Sequence, residues 1–297
     1  MLRIHSLDGN RLSLDGGAMF GNAPKAVWER WCSPDERNRI ELSCRCLLVE
    51  DGQRRILLET GIGAFFDPAL RDRYGVIDEG HALLRSLADK GISHEEIDVV
   101  VLSHLHFDHA GGLLSTWQAD TPSTLLFPNA TYVVGQRQWQ RAVEPHMRDR
   151  ASFIPQLQVQ LEESGRLHLL DHANATVLGE QFRLHYSDGH TPGMMHTWIR
   201  GQHHSVFFCA DLIPGVAWVH LPITMGYDRY PEQLIDEKTS TLDDIAGENG
   251  WLFFTHDPKI CMAQVGTDQR GRRIVTNPLD DTPMGGLDLD KENMEVP

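Results

Sequence analysis

Residues 103–112 read SHLHFDHAGG and follow directly on the apolar run IDVVVL at 97–102. A short run so rich in valine has the length and β-branching of a buried strand. Three histidines and an aspartate then fall within six positions. At the end of such a strand these groups lose hydration, and they are tolerated only when paired or bound to a metal. His104 and His106 stand two apart, so both can point the same way to grip one ion. Asp108 and His109 lie one turn further on and can grip a second. Imidazole nitrogen and carboxylate oxygen both suit zinc and related divalent ions. The Gly111–Gly112 pair relaxes the backbone as a following helix starts.

Three other segments repeat the pattern of an apolar strand with one ligand-type residue at its tip. YSDGHTPGMMH (186–196) places His190 there, VFFCADLIPG (206–215) places Asp211, and WLFFTHDP (251–258) places His256. Taken singly, each has a structural explanation: a loop residue, a cap or turn residue, a capped core histidine. Joined to the first cluster, they complete a set of seven nitrogen and oxygen donors, which reads as a metal site.

The rest of the chain sets the frame. Its 297 residues exceed the usual single-domain size, although layered α/β folds reach it as one unit, and 41 % hydrophobic content suffices for a sizeable core. Strand-like runs at LRIHSL, ELSCRCLLVE, RRILLET and TLLFPNATYVVG crowd the first half, and later ones alternate with helix-like stretches near 81–90, 135–143, 155–164 and 231–246. The mixture predicts two mostly antiparallel sheets packed face to face with helices outside. One domain over 1–276 is expected, followed by an acidic, Pro- and Gly-rich tail over 277–297 that reads as loosely held. A formal charge of −15 argues against nucleic-acid backbones and anionic membrane surfaces as partners and leaves a small-molecule substrate. No secretory leader or membrane span is legible, and five cysteines, an odd number, read as reduced thiols of a cytoplasmic protein. Cys44 and Cys46 have packing rather than redox spacing.

On these motifs the chain resembles the metallo-β-lactamase-superfamily hydrolases. SHLHFDHAGG, GHTPGMMH, ADL and THDP are most similar to the N-acyl homoserine lactone lactonases that silence bacterial quorum sensing, and LDGGAMFGNAPKAVW (14–28) resembles a segment beside their active site. The likeness spans about residues 1–265 and implies a four-layer αββα sandwich of the α/β class with two divalent metal ions in a cleft. By matching position, His104, His106 and His190 would hold one ion, Asp108, His109 and His256 the other, and Asp211 would bridge them. Zinc is the first expectation, and iron, manganese or cobalt also fit these donors.

The chemistry that follows is attack of a metal-bridging hydroxide on a lactone carbonyl, with Asp108 passing the proton to the departing alkoxide. An apolar wall for the acyl chain is expected from Met19, Phe20 and Phe107. Many similar lactonases carry a tyrosine three residues past the bridging aspartate, where this chain has Pro214. Tyr227, Tyr230 or His220 are the candidates to replace its contact. Glu59 stands where the superfamily commonly has aspartate, with Glu59 and Thr60 expected around the ligands or in a turn. The competing readings are a glyoxalase II-like thioesterase, disfavoured by the short, acidic stretch after His256, an organophosphate hydrolase, and a non-catalytic metal-stabilised binding protein. Dimers are common among similar lactonases, so a homodimer is a further expectation.

Overall fold

The valine run ahead of the histidines forms a fully buried strand, Val99–Leu102, inside a seven-stranded sheet. The computed structural model of the chain describes residues 1–171 and 175–293. In chain order the strands are β1 (Arg3–Leu7), β2 (Arg11–Asp15), β3 (Arg39–Ser43), β4 (Cys46–Glu50), β5 (Arg55–Leu58), β6 (Val99–Leu102), β7 (Thr131–Gly135) and β8 (Leu167–Leu170). The second half adds β9 (Phe182–Ser187), β10 (Met194–Arg200), β11 (Ser205–Phe208), β12 (Trp251–Phe253), β13 (Met262–Thr267), β14 (Arg273–Leu279) and β15 (Leu287–Asp288). One sheet runs β15-β1-β4-β5-β6-β7-β8 and the other β14-β13-β12-β11-β10-β9, with β2 and β3 as a separate ribbon.

The second sheet is antiparallel except at β11–β12, as expected. The first departs from expectation, because β5 through β8 are all parallel. Their connections carry the helices Ala82–Asp89, Gln136–Val143 and Pro155–Glu163, and helical crossovers of that length permit parallel pairing. Ala82–Asp89 packs on β1, Gln136–Val143 on β7 and β8, and Pro231–Gly247 on β13 of the other sheet. A continuous apolar core joins the two sheets, which completes the αββα layering. Cys44 and Cys46 are buried in it as free thiols.

The helix Pro231–Gly247 shows how the layers lock. It buries Leu234, Lys238, Leu242 and Ile245, a single stripe at helical spacing. The Lys238 ammonium sits under the segment 218–223 and donates to the carbonyls of Trp218 (3.0 Å), His220 (3.4 Å) and Ile223 (2.6 Å). Burial pushes its pKa down to about 7. It is a structural clamp for the loop that leads toward the site.

The stretch after 276 corrects the expected loose tail for the residues described. β14 continues to Leu279, and β15 pairs antiparallel with β1 through Arg3–Asp288 and Ile4–Leu287. Leu287 and Leu289 are fully buried, and the Asp290 carboxylate accepts from the Leu2 amide at 2.8 Å. Acidic composition hid two leucines with period-two spacing, enough for one edge strand. Residues 294–297 lie outside the described residues.

Gly111 and Gly112 are needed for close approach rather than to open a helix, since the helical turn has already begun at Phe107. A Cβ on Gly112 would lie 2.0 Å from the Thr60 carbonyl oxygen, and one on Gly111 2.4 Å from that of Ile62. Backbone cannot retreat from such contacts as a flexible side chain could. Gly112→Ala should therefore cost about 1–3 kcal/mol or more. Gly247→Ala, with no atom within 4 Å of the added methyl, should be neutral or stabilising. Denaturant unfolding of the two variants checks the contrast, and equal stabilities would refute it.

Candidate metal centre

The chain leaves β6 at Ser103 and turns into a single helical turn, Phe107–Ala110, with the His106 carbonyl accepting from the amides of His109 and Ala110. One side chain and one backbone carbonyl hold this corner. The Glu59 carboxylate accepts from the Ser103 amide at 2.8 Å, and its other oxygen faces Nδ1 of His109 at 3.5 Å. Glu59 is fully buried and has φ of 65°, a left-handed conformation costly for a residue with a side chain. It is thus a positioning residue for His109. Ser103 also ties the corner to the second sheet, because its carbonyl accepts from the Met195 amide at 2.9 Å.

All seven predicted donors converge here. His104, His106, His190 and Asp211 form one group of mutually close ligand atoms, and Asp108, His109 and His256 form a second. Asp211 stands between them and divides its oxygens. Oδ2 lies 3.1 Å from Nε2 of His190 and 3.8 Å from that of His104. Oδ1 lies 3.1 Å from Nε2 of His256 and 3.3 Å from that of His109. Asp108 Oδ2 lies 3.6 Å from His256 Nε2 and 3.8 Å from His109 Nε2. His106 presents Nδ1, 3.3 Å from Nε2 of His190.

The outward nitrogens show what the inward ones require. Nδ1 of His190 donates to Asp228 Oδ1 at 2.9 Å, and Nδ1 of His256 donates to the Ser43 carbonyl at 2.6 Å. With the proton on Nδ1 alone, either ring would turn a bare Nε2 toward the Asp211 carboxylate, lone pair against lone pair. The Nε2 atoms of His256 and His109 also meet at only 3.1 Å. Only cations, protons or metal ions, relieve this. Burial opposes charge on His109 and His256, yet the carboxylate of Asp211 beside them overcomes it and holds both well above the ordinary value. Burial likewise opposes the charge of Asp211, and His109, His190 and His256 hold it well below. His104 and His106 are kept neutral chiefly by burial and then by the neighbouring imidazoles. His104 Nε2 and Asp211 Oδ1 have no hydrogen-bond partner. Orphaned buried donors that share one focus fit divalent metal ions.

A sequence model of the metallo-β-lactamase superfamily matches residues 39–256. The chain belongs to that superfamily. A solved structure of a probable metal-dependent hydrolase from Staphylococcus aureus is 28 % identical, covers 94 % of this chain and 98 % of its own, and superposes with a TM-score of 0.82. AidC, a dizinc quorum-quenching lactonase solved with a homoserine product, is 21 % identical over 93 % of this chain and 94 % of its own, TM-score 0.72. The hydrolase AbOPH is 17 % identical over 92 % and 93 %, TM-score 0.70. The last two show the fold alone. As a member of the superfamily with this His/Asp site, the protein is a metal-dependent hydrolase.

A cavity of about 270 Å³ opens onto the centre, and Met19, Phe107 and Tyr227 line it as expected. Phe20 does not. Its ring is fully buried, stacked on Trp218 (4.6 Å) and Trp28 (5.4 Å), because the Asp15-capped turn Gly16–Phe20 sends Met19 inward and Phe20 into the core. His220 is also absent from the lining, since it packs near Trp31 with its carbonyl on Lys238. The Pro214 carbonyl accepts from the His256 amide at 2.8 Å, so that position serves the ligand loop. Tyr230 is an exposed helix-cap residue outside the lining.

Sequence reasoning missed Asp228, whose buried carboxylate orients His190 and accepts from the Met225 amide at 2.6 Å. A lone carboxylate between two tyrosines in GYDRY carries no spacing signal, although an acid near a ligand histidine is the usual device for fixing its tautomer. Asp228→Asn should weaken metal binding about 10- to 100-fold, and Asp211→Ala should abolish loading of both subsites. Chelator competition with elemental analysis reads both, and full metal content in Asp211→Ala would refute the shared-ligand geometry.

Proposed function

We propose that this protein is a dinuclear metal-dependent lactonase that opens the ring of N-acyl homoserine lactones. The observation that carries the reading is the division of the Asp211 oxygens between two imidazole groups, with a cavity that includes Met19, Phe107 and Met225 opening onto them. A dizinc lactonase of the same fold supports zinc as the metal and a lactone as the substrate. Two divalent ions, when bound, lower the pKa of a water and polarise a carbonyl.

The chain's own residues supply the rest. Asp108 is the most solvent-reached of the seven donors, with its carboxylate turned toward the cavity side of His109 and His256. It orients the attacking water and carries a proton to the alkoxide that leaves as the ring opens. Tyr227 stands in for the tyrosine lacking at Pro214. Burial and the nearby Asp108 charge push its phenol up to about 12, so it stays protonated and donates to a substrate oxygen. Met19, Phe107 and Met225 give the acyl arm an apolar surface. The cavity is at the small end of ligand sites, which favours short acyl arms.

The same ligand set serves thioesterases and organophosphate hydrolases, and AbOPH shares the fold. Metal-loaded protein incubated with N-hexanoyl homoserine lactone should add one water, seen as acid release in a pH-stat and as the ring-opened product by mass spectrometry. Absence of product with both metals present, or far faster hydrolysis of paraoxon or S-lactoylglutathione, would overturn the lactone assignment.

A further inference from the structure

The lining of the cavity also carries three guanidiniums, Arg73, Arg148 and Arg229. That is unexpected in a chain whose acidic residues outnumber its basic ones by 42 to 27. Among the described residues none of the three pairs with a carboxylate. Apart from the donors Asp108 and Asp211, the carboxylate in this lining is Asp149, whose Oδ2 accepts from Arg141 at 2.8–2.9 Å and whose buried Oδ1 has no hydrogen-bond partner.

Arg229 is held as if for a ligand. Its Nε and Nη2 both donate to the Tyr227 carbonyl, and its amide donates to the His190 carbonyl at 3.2 Å, so the head group is fixed on the turn beside a metal-site histidine. Nη1 is buried and has no partner. Burial, then the charge of Arg148, press the Arg229 pKa below its usual range against the opposing pull of Asp149 and Asp228. Arg148 is fixed on the same turn by donation from Nη2 to the Gly226 carbonyl at 2.9 Å. A guanidinium so held keeps a donor edge that matches a carboxylate, and losing no further side-chain entropy strengthens the pairing. A buried, unpaired donor of this kind costs stability unless a ligand fills it.

We propose that Arg229, assisted by Arg148, binds a carboxylate on the acyl arm of the substrate, so that the preferred lactones are anionic rather than the neutral N-alkanoyl kind. This rests on the lactonase reading for the reaction but specifies a substrate that reading does not. The small cavity bounds the separation between that carboxylate and the reacting carbonyl to a short acyl arm.

The test uses the full-length, zinc-loaded protein and the ring-opened homoserines, which bind without turnover. Calorimetric affinities are compared for N-succinyl-, N-glutaryl- and N-adipoyl-homoserine against N-hexanoyl-homoserine. All four share the homoserine carboxylate; the adipoyl compound differs from the hexanoyl one only by a carboxylate in place of the terminal methyl, and the two shorter acids vary the reach of that charge. At least one distal acid should bind about tenfold tighter or better than the hexanoyl compound. That ratio should fall toward unity in Arg229→Gln and shrink in Arg148→Gln, with metal content unchanged in both. The exposed Arg148 variant decides the matter if Arg229→Gln does not fold. No advantage for any of the three acids in the native protein, or an advantage untouched by the variants, overturns the proposal. Because the readout is binding, a protein that selects the acids through Arg229 yet opens no lactone would sink the lactonase reading and leave the anion site standing.

Discussion

Four imidazole nitrogens turned toward one buried carboxylate form the constraint on which the rest of the structure depends. The outward face of His190 is committed to Asp228 and that of His256 to the Ser43 carbonyl, so each ring meets Asp211 favourably only by taking up a further proton or a cation at Nε2. An isolated buried carboxylate costs several kcal/mol even after relaxation, and facing lone pairs add to that. Positive charge must enter the site for it to be stable. The division of Asp211 between two groups makes two places for that charge, one on each side.

The scaffold meets this demand by bringing strand ends together. β6, β9, β11 and β12 each end two or three residues before a donor, and the two sheets abut at that edge through bonds such as Met195 amide to Ser103 carbonyl. Precision comes from residues that never face the cavity. Glu59 accepts a strained backbone to set Ser103 and His109, Gly112 lets the ligand turn close on Thr60, and Lys238 pins the loop that holds Trp218 over Met19. The cavity lining combines the apolar Met19 and Phe107 with the guanidiniums of Arg148 and Arg229.

How far this could be read from sequence follows from the kind of signal each feature leaves. The seven donors were legible because each sits at the tip of an apolar strand, where a lone polar residue stands out against hydrophobic neighbours. The αββα layering was legible for a related reason: β6 is a pure valine–leucine run and Pro231–Gly247 has a clean buried stripe. Parallel pairing in the first sheet was not, since nothing local in β5 or β7 says which way its neighbour runs. Phe20 and Met19 are adjacent and both apolar, so only the rotation of the turn capped by Asp15 tells which one reaches the cavity. Asp228 and Arg229 matter through contacts across the fold with His190, and such contacts leave no periodicity.

The central claim, that Asp211 joins two cations held by separate histidine groups, is tested most directly by crystals of the native protein measured across the zinc absorption edge. Two anomalous peaks are expected, one among His104, His106 and His190 and one among Asp108, His109 and His256, each in reach of a different Asp211 oxygen. A single peak, or peaks away from Asp211, would contradict it.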